Sequence, residues 1–208
     1  FGGINNVSLV FPSERPVFLR EVNNNMYRVS SYFLSKIISE LPLSIVFPCL
    51  QVLITYFGIG LNTNEWYKVL IALAIGLLDY NAFTGMGYIL GAAVSDKQLV
   101  SIMTPIFVVP TMLFGGFFVN QNNVPWILIP FRELTVFKYS FQGFVLNEFT
   151  GLELDCMTTD DQVEYCDPLG DFNSPQDLKT SVLAIIGLWV GFYLIAFMIL
   201  KSLYRKYD

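Results

Sequence analysis

The sequence contains no histidine, and only 14% of its 208 residues are charged. Soluble domains average about 25% charged residues, so this chain has too little polar surface for that class. Without histidine it lacks the side chain most often used for acid–base catalysis and metal binding near neutral pH. The net charge of −5 also argues against nucleic-acid binding, which normally requires a basic surface. We therefore expect no catalytic residue, no metal site and no nucleic-acid partner.

The sequence also lacks the short motifs that carry nucleotide or hydrolytic chemistry. It has no G-x-x-x-x-G-K-[ST] loop, no G-x-S-x-G elbow and no H-E-x-x-H pair. Residues 1–12 have the pattern of the end of a transmembrane helix whose start is missing, so we expect a fragment. Whether the parent chain is an enzyme therefore stays open.

Hydrophobic residues make up 54% of the chain, and the mean hydropathy is +0.54. Four apolar stretches approach the roughly 20 residues needed to cross a bilayer. They are Leu41–Leu61, Val69–Val94, Leu99–Val119 and Val182–Leu203. Prolines in the first and third stretches are tolerated because packed membrane helices can satisfy the freed backbone groups. The sequence predicts an all-α, multi-pass membrane helix bundle in a plasma or organelle membrane.

The distribution of charge predicts the orientation. If residues 13–40 are cytoplasmic, eight of the twelve basic residues lie on that side, as the positive-inside rule requires. They are Arg15, Arg20, Arg28, Lys36, Lys97, Lys201, Arg205 and Lys206. The predicted segments are a truncated helix end (1–12), a cytoplasmic amphipathic segment (13–40), three transmembrane helices (41–119), an external re-entrant and loop region (120–181), and a last helix with its tail (182–208).

The amphipathic segment has apolar residues at three- or four-residue spacing, which would place them on one helical face. They are Phe18, Val22, Met26, Val29, Phe33 and Ile37. The three asparagines at 23–25 predict a turn within the segment. One interpretation is a helix anchored at the membrane surface. The other is a docking element that transmits force from a cytoplasmic partner into the bundle.

Asp79 is the charged residue within the second apolar stretch. It lies about 15 Å along a helix from Val69, which places it near the middle of the bilayer. A charge there costs at least about 2.5–3.5 kcal/mol, so Asp79 should face the bundle interior or become protonated. It is either a polar contact in a substrate path or relay, or a structural hydrogen bond between helices.

Cys156 and Cys166 both lie in the predicted external loop, where oxidation is possible. The alternatives are a bridge between them, two free thiols, or a bond to another subunit. Just before that loop, Phe117 and Phe118 follow Gly115 and a second glycine. The pair is either an apolar constriction or ordinary packing near the membrane surface.

Four blocks of sequence resemble the membrane domain of G-subfamily (White-type) ABC transporters. They are "ERPVFLRE", "MYRVSSYFLSKIISELP", "LFGGFFVN" and "NEFTGLELDC", and they follow the family's order along nearly the whole chain. The resemblance implies a helix bundle of the ABC exporter type with a disulfide-bearing external loop. It also implies a half-transporter that works as a dimer with an identical or different second half.

The resemblance assigns roles to individual residues. Glu14, Arg20 and Glu21 would belong to the region that couples the bundle to the ATPase domain. Substrate-cavity positions would be Phe1, Asn5, Pro105, Val109 and Met112. Phe117 and Phe118 would form the plug between two cavities, although many relatives have leucine there. Cys156 and Cys166 would form the internal bridge of the external loop.

The function implied is ATP-driven export of lipophilic substrates such as sterols, lipids, pigments or xenobiotics. ATP and Mg²⁺ would bind in a nucleotide-binding domain of the parent chain, and this segment would hold no cofactor. The expected partners are that domain, a second half-transporter, lipophilic substrate and membrane lipid. A gated pore and a non-transporting membrane scaffold are the alternative functions.

Overall fold

In the computed structural model the described residues form helices and a small β-hairpin. The structure describes residues 2–61, 65–115, 118, 125–151, 154–157, 163–166 and 177–207. The helices are α1 Gly2–Ser8, α2 Phe11–Asn23, α3 Val29–Ile59, α4 Trp66–Ala93, α5 Lys97–Leu113, α6 Ile129–Glu133, α7 Val136–Phe149 and α8 Leu178–Tyr207. A 3₁₀ turn, Trp126–Leu128, precedes α6, and strands β1 Leu154–Met157 and β2 Val163–Cys166 pair antiparallel. The predicted helix bundle is confirmed.

Within these ranges, three helices are long and apolar enough to cross a membrane: α3, α4 and the part of α8 that ends at Leu203. Their mean hydropathies are 2.0, 1.6 and 2.5, respectively. The third predicted span corresponds in part to α5, which is apolar but has 17 residues. These helices make the chain an integral, multi-pass membrane protein.

Helix α3 is continuous across the segment boundary that the sequence predicts between residues 40 and 41. Before it, the chain turns at Asn24 and Asn25, and Asn25 has a φ of 55°. Asparagine tolerates this left-handed conformation better than most residues, so the run of asparagines separates α2 from α3. At its far end α3 stops at Gly60, whose φ of 76° is typical of a helix C-cap.

Helix α4 is the central element and packs against α1, α3, α7 and α8. Its glycines allow α1 to come close. A Cβ added at Gly87 would lie 2.8 Å from the carbonyl oxygen of Ile4 on α1. One at Gly91 would lie 2.9 Å from the Cβ of Phe11 on α2 and 3.3 Å from the carbonyl oxygen of Ser8 on α1. Larger residues here would push α1 and the start of α2 away from α4, so these two glycines permit the close packing.

Two groups of buried apolar side chains hold the helices together. The first, here the junction cluster, lies where α2 and the start of α3 meet α4 and α8: Val7, Phe11, Phe18, Val22, Val29, Phe33, Tyr88, Ala92, Ala196 and Leu200. The second, here the central cluster, joins α4 to α1, α5, α7 and α8: Ile4, Ile75, Ala82, Phe83, Leu90, Val108, Val136, Tyr139 and Ile185. The junction cluster fixes the amphipathic segment to the bundle, and the central cluster positions α7.

Candidate functional site

Glu14 on α2 is bound by two side chains of α3. The Lys36 ammonium donates to its Oε1 at 2.9 Å, and the Tyr32 hydroxyl donates to its Oε2 at 3.1 Å. Each carboxylate oxygen therefore has a donor from the neighbouring helix. The charge of Glu14 is matched, and α2 is tied to α3 at this point.

Glu21, near the end of α2, accepts a hydrogen bond of 2.7 Å from the Tyr27 hydroxyl, which lies in the turn before α3. Burial together with this hydrogen bond raises the pKa of Tyr27 to about 12, so the phenol keeps its proton at physiological pH. Arg20 on the same helix is exposed. Of the three residues assigned to coupling, the two glutamates thus bind neighbouring side chains and Arg20 faces outward.

Aromatic rings surround these polar contacts. The ring of Tyr32 lies 4.4 Å from that of Phe18 and 6.2 Å from that of Phe11, centroid to centroid, and stacks on Tyr27 at 6.0 Å. Both phenylalanines are almost completely buried. Because apolar rings exclude water from one side of the polar contacts, α2, the turn and the start of α3 form one packed unit, which we call the junction.

Asp79 lies at the middle of α4 and accepts a hydrogen bond from the Ser140 hydroxyl of α7. Among the described residues, no lysine or arginine forms an ion pair with it. The interhelical hydrogen bond that the sequence offers as one interpretation is therefore present. Its donor is a neutral hydroxyl, so the bond leaves the carboxylate without a counter-charge.

Asp79 also lines a cavity of about 630 Å³ between α1, α3, α4, α5 and α7. Aromatic side chains form much of the wall: Phe47, Phe83, Phe137, Phe144 and Tyr80. Polar groups come from Asp79, Asn6 and Gln51. The volume is within the range of about 300–1,000 Å³ that is usual for small-molecule sites.

The residues assigned to a substrate cavity lie in different places in the structure. Met112 lines the cavity together with Asp79. The described wall does not include Asn5, Pro105 or Val109, which are exposed on α1 and α5. Phe118 of the predicted plug is 57% exposed. Phe1 and Phe117 lie outside the described residues.

Helix α7 is anchored at both ends by polar contacts. Near its start, the buried Thr135 hydroxyl donates to the carbonyl of Thr111 on α5 at 2.9 Å. At its end, the Asn147 amide donates to the Lys68 carbonyl, and the Lys68 ammonium donates to the Thr150 carbonyl, both at 3.0 Å. These contacts, with the one between Ser140 and Asp79, align α7 antiparallel to the first half of α4.

The short α6 ends in a compact charged group. Glu133 accepts hydrogen bonds from Arg132, Lys138 and Tyr139, and the Lys138 side chain is buried. The acid is therefore matched by more than one donor. This arrangement stabilises the turn between α6 and α7, and within the described part of the chain no cluster of His, Cys, Asp and Glu is suited to a metal ion.

The β-hairpin contains both cysteines of the predicted external bridge. Its register pairs Cys156 with Glu164, and Cys166 with Leu154. In this register the two cysteines are diagonal neighbours rather than directly opposite residues. Their side chains lie outside the described part of the structure, and the disulfide stays a prediction.

Sequence reasoning missed Ser140, Lys36 and the aromatic wall of the cavity. Ser140 has no distinguishing sequence context, because a serine in a helix is common and its partner is 61 positions away. A usable signal existed for α7: Lys138 and Gln142 are polar residues four positions apart in an apolar segment, which predicts one face buried against protein. Both side chains are indeed buried.

Comparisons with known proteins point to one group. Residues 1–149 match the family model described as "ABC-2 type transporter". The chain is 32% identical over 203 residues to "Protein white" of Ceratitis capitata and to "Protein white" of Drosophila melanogaster, with 95% of the chain aligned. It is 30% identical over 211 residues to "ABC transporter ATP-binding protein/permease wht-1" of Caenorhabditis elegans, with 96% aligned.

The alignments cover only part of those relatives. The chain spans 30% of the length of the Ceratitis protein, 29% of the Drosophila protein and 31% of the Caenorhabditis protein. The chain therefore matches one part of much longer proteins.

Proposed function

The chain belongs to the ABC-2 type transporter membrane family, and on that premise we propose that it forms the membrane path of an ATP-driven exporter of lipophilic molecules. Sterols, lipids, pigments and xenobiotics are the classes considered. The observation that carries the proposal is the family match across residues 1–149, which include both the junction and the whole described cavity wall. A largely apolar cavity at the level of a mid-helix residue suits cargo that enters from the lipid phase.

The junction is proposed to transmit the movement of an ATP-binding domain. The two contacts of Glu14 and the contact of Glu21 join α2 to the turn and to α3, so a displacement of α2 is passed directly to a helix that spans the membrane. Exposed Arg20 is available to dock on that domain. The name of the Caenorhabditis relative includes both "ATP-binding protein" and "permease", which supports the pairing. ATP and Mg²⁺ would bind in that domain.

Dimerisation is proposed through the exposed apolar face of α5. Val109 is 42% exposed and Ile106 is 61% exposed, although both lie in an apolar helix. A second half-transporter packed on this face would enclose Pro105 and Val109 in a shared cavity, with Phe118 near its outer end. The second half can be the same chain or a different one.

Helices α6 and α7 are proposed to re-enter the membrane from the external side. Ser140 contacts the midpoint of α4, whereas Asn147 contacts Lys68 near the start of α4. The first turns of α7 therefore reach the depth of Asp79, and its end returns to the level where α4 begins. The hairpin that follows would carry the proposed bridge between Cys156 and Cys166 outside the membrane.

The test is ATP hydrolysis by the full-length gene product that contains residues 1–208, reconstituted in lipid, with and without lipophilic compounds. We expect lipophiles to stimulate hydrolysis, and Glu21→Ala to reduce the stimulation because α2 loses its contact with Tyr27. Glu65→Ala removes an equal charge at the opposite end of the bundle and serves as the control that keeps the stimulation.

Two results would contradict the proposal. Hydrolysis that is absent would favour a gated pore or a membrane scaffold. The second result is hydrolysis whose rate does not change with lipophiles and is lowered equally by Glu21→Ala and Glu65→Ala. The junction would then not transmit movement between the domains.

A further inference from the structure

We propose that the cavity beside Asp79 is a binding site for amphipathic organic cations, in which the carboxylate receives an ammonium group. The proposal concerns the cavity lined by a single chain, separate from the exposed face of α5. That such a ligand is also exported rests on the proposed function, whereas its binding does not.

The first argument is charge. Asp79 is the acidic residue in the cavity wall, and the described wall contains no lysine or arginine. Its hydrogen-bond partner is the neutral hydroxyl of Ser140. A carboxylate surrounded by apolar groups is unfavourable without a counter-charge, so a cation that enters the cavity supplies what the protein does not.

The second argument is the wall. Phe83 and Phe137 form a ring pair with centroids 4.6 Å apart, and Phe47 and Phe144 also line the space. Aromatic faces attract ammonium groups through their quadrupoles, and they accommodate an apolar tail as well. A cavity that combines one acid with several aromatic rings is thus complementary to a molecule with one positive charge and an apolar body.

The third argument is access. Phe47 and Leu50 line the cavity, yet 50% and 51% of their surfaces are exposed. Both are on α3, so this part of the cavity wall is formed by side chains that also reach the apolar exterior of the bundle. A hydrophilic cation would not approach an apolar exterior, whereas an amphipathic one dissolves in the bilayer at that level.

The experiment measures equilibrium binding to the full-length gene product in phosphatidylcholine nanodiscs without ATP. The probes are radiolabelled 4-phenylbutyl-trimethylammonium and its neutral isostere, in which carbon replaces the charged nitrogen. We expect the wild type to prefer the cation, and Asp79→Asn to reduce that preference by about tenfold or more, because a buried charge pair is lost. Affinity for the neutral isostere should stay unchanged, which also reports that the cavity is intact.

A control variant is Asp96→Asn, which removes a carboxylate outside the cavity. Asp96 caps α5, and asparagine caps equally well. This variant should retain the preference for the cation. Equal binding of the two probes by the wild type, or a preference that survives Asp79→Asn, would overturn the proposal.

A second measurement uses the wild type alone, in case Asp79→Asn does not fold. Dicyclohexylcarbodiimide modifies carboxyl groups in apolar surroundings, and mass spectrometry of the peptide that contains Asp79 reports the extent. We expect the cation to protect Asp79 and the neutral isostere to protect it much less. Equal protection by both probes, or by neither, would contradict the site.

Discussion

Two carboxylates, Glu14 on α2 and Asp79 on α4, have very different surroundings in this chain. Glu14 at the junction has a lysine and a tyrosine on its two oxygens, both from the same neighbouring helix. Asp79 in the cavity has the hydroxyl of Ser140 and no cation among the described residues. The first acid has a counter-charge within the chain, and the second has none among the described residues.

The difference separates two roles within the proposed transporter. An acid with two donors from one neighbouring helix contributes to a defined connection between α2 and α3, because both of its carboxylate oxygens are held by α3. An acid without a counter-charge beside a cavity makes the site selective for positively charged molecules. The junction is therefore expected to affect all transport equally, and the cavity to affect the choice of cargo.

The largest expected effect comes from breaking the apolar side of the junction. Phe18→Ala removes a ring that is 1% exposed and packs against Tyr32. Truncating a buried phenylalanine typically costs about 3–5 kcal/mol of unfolding free energy. Denaturant unfolding of the full-length protein in detergent micelles measures this. The control is Phe57→Ala, since Phe57 is 63% exposed.

If Phe18→Ala and Phe57→Ala changed the free energy of unfolding by the same small amount, α2 would not be packed as one unit with α3. The distinction between a closed junction and an open cavity would then lose its structural basis.

A smaller effect is expected for the ion pair itself. A double-mutant cycle with Glu14→Gln and Lys36→Met isolates the interaction between these two side chains. Because 41% of the Glu14 side chain is exposed, solvent screens the pair, and the coupling should be about 1 kcal/mol or less. The same unfolding measurement provides it.

A second double-mutant cycle, with Asp79→Asn and Ser140→Ala, measures the interaction energy at the cavity for comparison with that at Glu14. We expect the coupling energy at Glu14 to decrease as the salt concentration rises, because that pair is ionic and near the surface. The coupling energy at Asp79 should not change with salt, because its donor is neutral and lies in the interior. The same salt dependence of the coupling energy at both sites would mean that Glu14 and Asp79 do not differ in their electrostatic surroundings.

Much of the fold was predictable because hydrophobic length is a direct physical requirement of the bilayer. The long apolar runs predicted the regions of α3, α4 and α8, and the asparagines predicted the turn before α3. The boundary between residues 40 and 41 stays a prediction, since nothing in the backbone marks where a continuous helix leaves the membrane surface.

The sequence predicted a residue of the site only where that residue alone is energetically unfavourable in a membrane. Asp79 stood out because a charge in an apolar run is unfavourable, and the structure places it on a cavity wall. Ser140 and Lys36 did not stand out, because their importance comes from partners on other helices that are distant in sequence. The exposure of Pro105 and Val109 likewise depends on the packing of whole helices.

The most direct test of the two roles is ATP-driven uptake into inverted vesicles that carry the full-length gene product. Uptake of 4-phenylbutyl-trimethylammonium and of its neutral isostere is measured for the wild type, Glu21→Ala and Asp79→Asn. The account predicts that Glu21→Ala lowers both rates by the same factor, while Asp79→Asn lowers uptake of the cation and leaves that of the isostere. A changed ratio with Glu21→Ala, or an unchanged ratio with Asp79→Asn, would contradict it.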